Sequence, residues 1–189
     1  KVIEGLTIDE MDPQKQLKPY QTVPVIHAVE LGNSANFSVP GSGKTWMAYA
    51  TYFLLRKKKQ VDKLLVLSPL SAFKPWEEEY EQFTGTPHNL KRIVGSPDDR
   101  RLIYENPLEN EMYLISYGTA NNDVESIDDK PTLIDFLKKG KFMVVLDESH
   151  HIKNPEGVTA STALRIAPSA EKKMILTGTM MPNKIDDIW

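Results

Sequence analysis

Three short stretches of this chain carry residue types that can act on a phosphate ester. The first reads Ser38-Val39-Pro40-Gly41-Ser42-Gly43-Lys44-Thr45. Gly41 and Gly43 permit backbone conformations closed to other residues, so the successive N–H groups around Ser42 can converge on one anion at the start of a helix. Lys44 then reaches the β- and γ-phosphates of a nucleotide, and the Thr45 hydroxyl is a ligand for Mg2+. The strict pattern opens on glycine, and here Ser38 stands in that place. The core of the loop, Gly41 to Thr45, is complete.

The second stretch, Asp147-Glu148-Ser149-His150, follows the apolar run 142–146. Paired acids at the end of buried backbone suit metal-assisted hydrolysis. Asp147 would hold the Mg2+ hydration shell opposite Thr45, and Glu148 would accept a proton from the attacking water. Taken by itself, a pair of acids also marks the point where a strand meets solvent. The third stretch, Thr177-Gly178-Thr179, follows 174–176 and reads either as a tight turn or as a coupling element. His150 is then placed to link the acidic pair to it through a hydrogen bond. His150 and His151 do not read as zinc ligands, because neighbouring side chains diverge and no Cys accompanies them.

Chemistry of this kind needs a frame that brings loop ends together. Short apolar runs at 64–67, 113–115, 142–146 and 174–176 read as buried strands. Between them, apolar residues at three- and four-residue spacing predict helices over 45–56, 72–83, 131–139 and 158–166. Alternating strands and helices predict an α/β fold with a mostly parallel sheet and helices on both faces. In such sheets ligands collect at the carboxyl ends of the strands, where all three stretches fall, the first of them after a short strand-like stretch around Phe37. The polar segment 121–130 is expected to be an exposed loop.

Composition sets the outer bounds. The 189 residues are 40% hydrophobic and 26% charged, enough for one substantial core and not a disordered chain. The absence of cysteine excludes a disulfide framework and thiolate metal sites. No apolar run has the length of a membrane-spanning helix, and no signal-peptide pattern opens the chain, so an intracellular setting is expected, cytoplasmic or, if the protein is bound to DNA, nucleoid or nuclear. A net charge of −3 argues against a strongly basic nucleic-acid binder while leaving room for a few local contacts. The cluster Arg56-Lys57-Lys58-Lys59 reads as cations at a helix C-terminus, and Glu77-Glu78-Glu79 as a solvated helix face with Trp76 and Tyr80 turned inward.

The order of these motifs resembles the superfamily 2 helicases, and more narrowly their Swi2/Snf2-like DNA translocases. The resemblance spans Leu17 to Trp189. Leu17-Lys18-Pro19-Tyr20-Gln21 is similar to the family's adenine-reading segment, which implies that Gln21 recognises the base. Ser68-Pro69-Leu70-Ser71, with Trp76 and Glu79, resembles the segment that contacts the DNA backbone, and Ser116-Tyr117 with Thr119 resembles the next DNA-facing motif. Lys74 and Lys153 are further candidates for phosphate contacts. Asp147-Glu148-Ser149-His150 with Ile152-Lys153-Asn154 resembles the acidic box and its extension, although Ser149 stands where alanine is commoner. Leu176-Thr177-Gly178-Thr179 with Pro182 and Asn183 resembles the coupling motif.

The resemblance implies a RecA-like P-loop NTPase lobe over 17–189, flanked by an N-terminal segment, 1–16. It implies ATP and Mg2+ as cofactors, DNA as partner with duplex favoured, and a second RecA-like lobe in a longer chain. That second lobe would supply arginine fingers, worth about 10³ to 10⁵ in rate, so the isolated lobe is expected to bind nucleotide weakly and turn it over slowly or not at all. The alternatives are a strand-separating or restriction-type DEAD/DEAH-like helicase subunit, a P-loop kinase, and a catalytically silent interaction module. The acidic pair and the Thr-Gly-Thr strand end speak against the kinase.

Overall fold

Among the described residues, six parallel strands form one sheet in the order β1-β6-β5-β2-β4-β3. They are β1 (Asn33–Asn36), β2 (Lys63–Ser68), β3 (Lys91–Ile93), β4 (Met112–Ser116), β5 (Phe142–Leu146) and β6 (Lys172–Leu176). The helices are α1 (Pro19–Leu31), α2 (Lys44–Lys57), α3 (Phe73–Thr84), α4 (Pro97–Glu105), α5 (Tyr117–Asp123), α6 (Leu133–Leu137) and α7 (Val158–Ile166). The structure, a computed structural model, describes residues 7–107, 112–125, 130–148 and 157–178. His150, Ile152, Lys153, Asn154, Thr179, Pro182 and Asn183 lie outside these residues.

The side-chain period of two divides each central strand between two cores. Leu64 and Val66 of β2, Leu114 of β4 and Val145 of β5 pack with α1, α2 and α3. Leu65 and Leu67, Tyr113 and Ile115, and Phe142 and Val144 face the other way, into a core closed by residues of α4 to α7. Both faces of the sheet are therefore covered, which is why β2 and β4 read as unbroken apolar runs. α2 is buried along Met47–Leu55 on every side and is the central helix of its layer. The basic cluster does close it: Arg56 and Lys57 occupy the last turn and Lys58 the C-cap.

The parallel order places the carboxyl ends of all six strands along one edge. The P-loop leaves β1 there, Pro69 leaves β2, Tyr117 leaves β4, Asp147 leaves β5 and Thr177 leaves β6. Backbone bonds carry the pairing past the strands at two of these exits. Asp147 N–H donates to the Leu67 carbonyl at 2.8 Å, and Thr177 N–H to the Asn36 carbonyl at 3.1 Å.

Several expectations require correction. The segment 121–130 is not a loop at its start: Asn121 to Asp123 complete α5. The Asp123 carboxylate there accepts two bonds from Arg100, at 2.6 and 2.7 Å, and one from the Tyr104 hydroxyl at 2.7 Å. The polar sequence here reflects in part an ion pair between helices, each side chain 11% exposed, whereas Asn122, Glu125 and Lys130 are exposed as expected. The helix expected over 131–139 is shorter, Leu133–Leu137, because Thr132 caps it and so sets its start. Within 7–16, ahead of the expected lobe, Ile8 joins the core at 7% exposure and Asp12 N–H bonds the Phe83 carbonyl at 2.8 Å.

Candidate functional site

Asn36, the last residue of β1, organises the start of the P-loop. Its Oδ1 accepts bonds from Ser38 N–H at 3.0 Å and from Ser38 Oγ at 2.5 Å, and its Nδ2 faces Met47 Sδ at 3.4 Å. The hydroxyl of Ser38, the residue that departs from the strict loop pattern, is thus held against the strand end. Gly41 and Gly43 both adopt left-handed backbone, with φ of 76° and 80°. Gly43 is the N-cap of α2, so the loop's N–H groups run directly into a helix N-terminus.

Gln21, on the first turn of α1, holds the loop from outside. Its Nε2 donates to the Ser42 carbonyl at 2.8 Å, while its Oε1 accepts from Lys18 N–H at 2.9 Å and caps α1. The amide keeps a second N–H and a second lone pair for a further partner. A β-carbon on Gly43 would lie 2.3 Å from Gln21 Nε2. Beside this contact, Gln21, Gly41, Gly43, Trp46, Tyr20 and Glu79 line a cavity of about 460 Å³.

Lys44 Nζ donates to the carbonyls of Ser38 at 3.0 Å and Val39 at 3.3 Å, folding the cation back over the loop. Ser42 Oγ is buried and has no hydrogen-bond partner among the described residues. A loop that runs into a helix N-terminus, with an adjacent cation and an unsatisfied buried hydroxyl, fits a bound polyphosphate. Mg2+ is ordinarily held by one or two protein groups plus phosphate oxygens, and Thr45 with Asp147 forms a donor set of that size and chemistry.

Asp147 is pinned on all sides. Its Oδ2 accepts from Trp76 Nε1 at 2.8 Å and its Oδ1 from Glu148 N–H at 2.9 Å, while its carbonyl accepts from the Tyr117 hydroxyl at 2.6 Å. Burial raises the Asp147 carboxyl above the usual range, Glu148 adds to this, and the Trp76 and Glu148 N–H groups with the Lys44 charge oppose it. Burial also raises the Tyr117 hydroxyl, helped by Asp147 and Glu148. Glu148 itself adopts φ of 50°, a left-handed conformation that costs a residue with a side chain about 1–2 kcal/mol. Strain of this kind gathers at functional sites.

The exit of β6 closes on the same place. A β-carbon at Gly178 would lie 3.0 Å from Pro40 Cγ and 3.4 Å from Lys44 Nζ. Thr177 is buried at 5% exposure. The structure thus brings Gln21, Gly41, Ser42, Gly43, Lys44, Thr45, Asp147, Glu148, Thr177 and Gly178 to one edge of the sheet.

The residues expected to face nucleic acid divide. Ser71 and Lys74 are exposed, and Lys74 pairs with Glu78 at 3.4 Å. Ser68 is fully buried, so its side chain offers no surface, and Pro69 is half-buried. Ser116 caps α5, accepting from Thr119 N–H at 3.0 Å and meeting the Thr119 hydroxyl at 2.8 Å. Tyr117 turns inward to Asp147. The serine and threonine that read as a DNA motif are therefore helix-capping groups first.

Sequence reasoning also misjudged the acidic triplet of α3. Only Glu78 is exposed. Glu77 is 8% exposed and forms a bidentate pair with Arg92, at 2.6 and 2.5 Å. Glu79 turns toward the loop, bonded to the Thr45 side chain and within the field of Asp147 and Lys44; burial raises its carboxyl and the Thr45 bond opposes this. The signal was the spacing, since Trp76 and Glu79 share a helix face at three-residue separation.

Comparison with known proteins shows the family and the fold. The sequence model of the SNF2-related domain matches residues 38–189. The human DNA annealing helicase and endonuclease ZRANB3 is 31% identical over 169 residues, covering 87% of this chain and 14% of the human protein. The Schizosaccharomyces pombe SWI/SNF chromatin-remodeling complex subunit snf22 is 28% identical over 152 residues, covering 79% of this chain and 8% of that protein. The chain thus spans a small fraction of the relatives it matches. Among solved structures, the Sulfolobus solfataricus SWI2/SNF2 ATPase core in complex with dsDNA has the same fold, with a TM-score of 0.74, 24% identity, and coverage of 100% of this chain and 36% of that one.

Proposed function

Because the chain belongs to the SNF2-related domain family, we propose that it is the ATP-binding, RecA-like first lobe of a motor that couples Mg-ATP hydrolysis to movement on DNA. The meeting of the P-loop, the acids after β5 and Gly178 at one sheet edge supports this reading most strongly. In it, backbone N–H groups of Gly41 to Lys44 hold the phosphates, and Lys44 leaves the carbonyls of Ser38 and Val39 for the β- and γ-phosphate oxygens. Thr45 and Asp147 hold Mg2+, which when bound neutralises charge on the phosphates. Glu148 takes a proton from the attacking water. Gln21, with one N–H and one lone pair uncommitted, reads the adenine edge beside the loop.

Duplex DNA is the favoured track. The names of the relatives, a DNA annealing helicase and a chromatin-remodeling subunit, support a DNA partner, as does the duplex bound by the structural neighbour. On this chain the exposed Ser71 and Lys74 after β2 are the described candidates for backbone contact, and Thr119 lies beside the capped turn after β4. A second lobe would face the site and complete it. Thr177 and Gly178, with His150 and Thr179, would pass the nucleotide state to that interface. The motor would work wherever its DNA is, nucleus or nucleoid; no helix of the described residues is long and apolar enough to cross a membrane.

Two variants of the intact protein test the reading. Glu148→Gln keeps ATP binding and lowers turnover by about 10² to 10⁴-fold, the usual worth of a positioned base. Lys44→Ala abolishes turnover with the fold intact by circular dichroism. Normal turnover in Lys44→Ala would remove the P-loop assignment, and loss of ATP binding in Glu148→Gln would remove the base assignment.

A further inference from the structure

Asp147 and Thr45, the two groups best suited to hold Mg2+, come from distant parts of the chain, the exit of β5 and the start of α2, and both are touched by one helix. Trp76 and Glu79 sit at three-residue spacing on α3, so their side chains leave the same face. The Trp76 indole is 1% exposed and its N–H points at Asp147 Oδ2, 2.8 Å away. Trp76 is itself fixed by an edge-to-face contact with Tyr49 at 5.2 Å, and its carbonyl accepts the Tyr49 hydroxyl at 2.7 Å. Glu79 lines the cavity beside Gly41 and Gly43 and bonds the Thr45 side chain.

The direction of these bonds matters. A hydroxyl that ligates a cation must turn its hydrogen away, and a neighbouring carboxylate takes that hydrogen and leaves the oxygen lone pairs free. A carboxylate that ligates through its remaining lone pairs is fixed in rotation when one oxygen accepts from a rigid indole N–H. We propose that Trp76 and Glu79 are positioning residues for the metal site, Trp76 orienting the Asp147 carboxylate and Glu79 orienting the Thr45 hydroxyl. Resting on the Mg-ATP reading above, this gives the Trp76–Glu79 face of α3 a role on the nucleotide side of the lobe, whereas Ser71, just before α3, and Lys74, in its first turn, are exposed. The magnesium ligands are thereby tied to the same rigid element that leaves β2.

The test is ATP affinity of the intact protein, by isothermal titration calorimetry, in Mg2+ and in EDTA, read as the ratio of the two. Glu79→Ala and Trp76→Phe are expected to lower the Mg2+-dependent gain by about 10- to 100-fold, the usual cost of removing an outer partner of a metal ligand, with a clearly smaller loss of affinity in EDTA. Glu79→Gln, whose amide oxygen still accepts the Thr45 hydrogen, is expected to restore most of the gain. Trp76 is buried, so if Trp76→Phe fails to fold, the half-buried Glu79 pair decides. An unchanged ratio in Glu79→Ala, or equal losses with and without Mg2+, overturns the positioning role. A wild-type protein that binds no ATP in either condition overturns the underlying Mg-ATP reading, and this proposal with it.

Discussion

Gln21 and Gly43 are mutually fitted. The Gln21 amide nitrogen that holds the Ser42 carbonyl at 2.8 Å occupies the space where a β-carbon on Gly43 would stand, 2.3 Å away. The first turn of α1 thereby shapes the phosphate loop before any nucleotide arrives. Gln21→Glu removes the donor and sets a carboxylate against the Ser42 carbonyl, which costs about 1–3 kcal/mol where a buried polar group loses its partner. ATP affinity is expected to fall about tenfold or more by calorimetry, and unchanged affinity would contradict the tie.

Gly178 meets the loop from the opposite side. With 3.0 Å between an added β-carbon and Pro40 Cγ, Gly178→Ala forces Pro40 or the end of β6 to give way. Turnover is expected to fall more than ATP affinity, because Lys44 Nζ lies 3.4 Å from the same point. Steady-state kinetics beside equilibrium binding separates the two effects; an equal loss in both would place Gly178 in binding alone.

Glu148 pays for its position in backbone strain. Glu148→Gly removes the side chain from a residue at φ of 50°, relieving about 1–2 kcal/mol that is partly offset by the flexibility glycine adds to the unfolded chain. Thermal denaturation is expected to show unchanged or slightly raised stability together with lost turnover. A clear destabilisation would mean that the carboxylate supports the fold.

Much of this was legible in the sequence. The runs at β2, β4 and β5 are buried on both faces, so continuous apolar segments reported them directly, and the shorter run of β6 was read although Ile175 is 37% exposed. β1 and β3 carry polar residues at the two sheet edges, Asn33 to Asn36 and Lys91 to Ile93, and left no such signal. α4 begins with Ser96, Pro97 and Asp99 in a capping box that was there to be read. α1 was hidden by Pro24 within it. At the site, the loop and acids were visible because their chemistry is local. The hold of Trp76 on Asp147 joins residues 71 positions apart, and no spacing rule reaches that far.

The same distance rule hid the Glu77–Arg92 pair, which makes a prediction about pH. The Arg92 hydrogen bonds hold the Glu77 carboxyl below its ordinary value, against the effect of burial. A depressed folded pKa contributes stability that is fully present above the unfolded value and lost as pH falls through the folded one. Below the ordinary glutamate range, wild-type stability is therefore expected to fall more steeply than that of Glu77→Gln. Parallel denaturant curves from neutral pH into acid would show this as converging midpoints, and parallel slopes would contradict it.

The central claim, a DNA-driven ATPase, is met most directly by the ATPase rate of the intact protein with no nucleic acid, single-stranded DNA, duplex DNA and RNA in parallel. Stimulation by duplex DNA that disappears in Lys44→Ala is the result expected. A rate indifferent to every nucleic acid, or raised only by RNA, would contradict it.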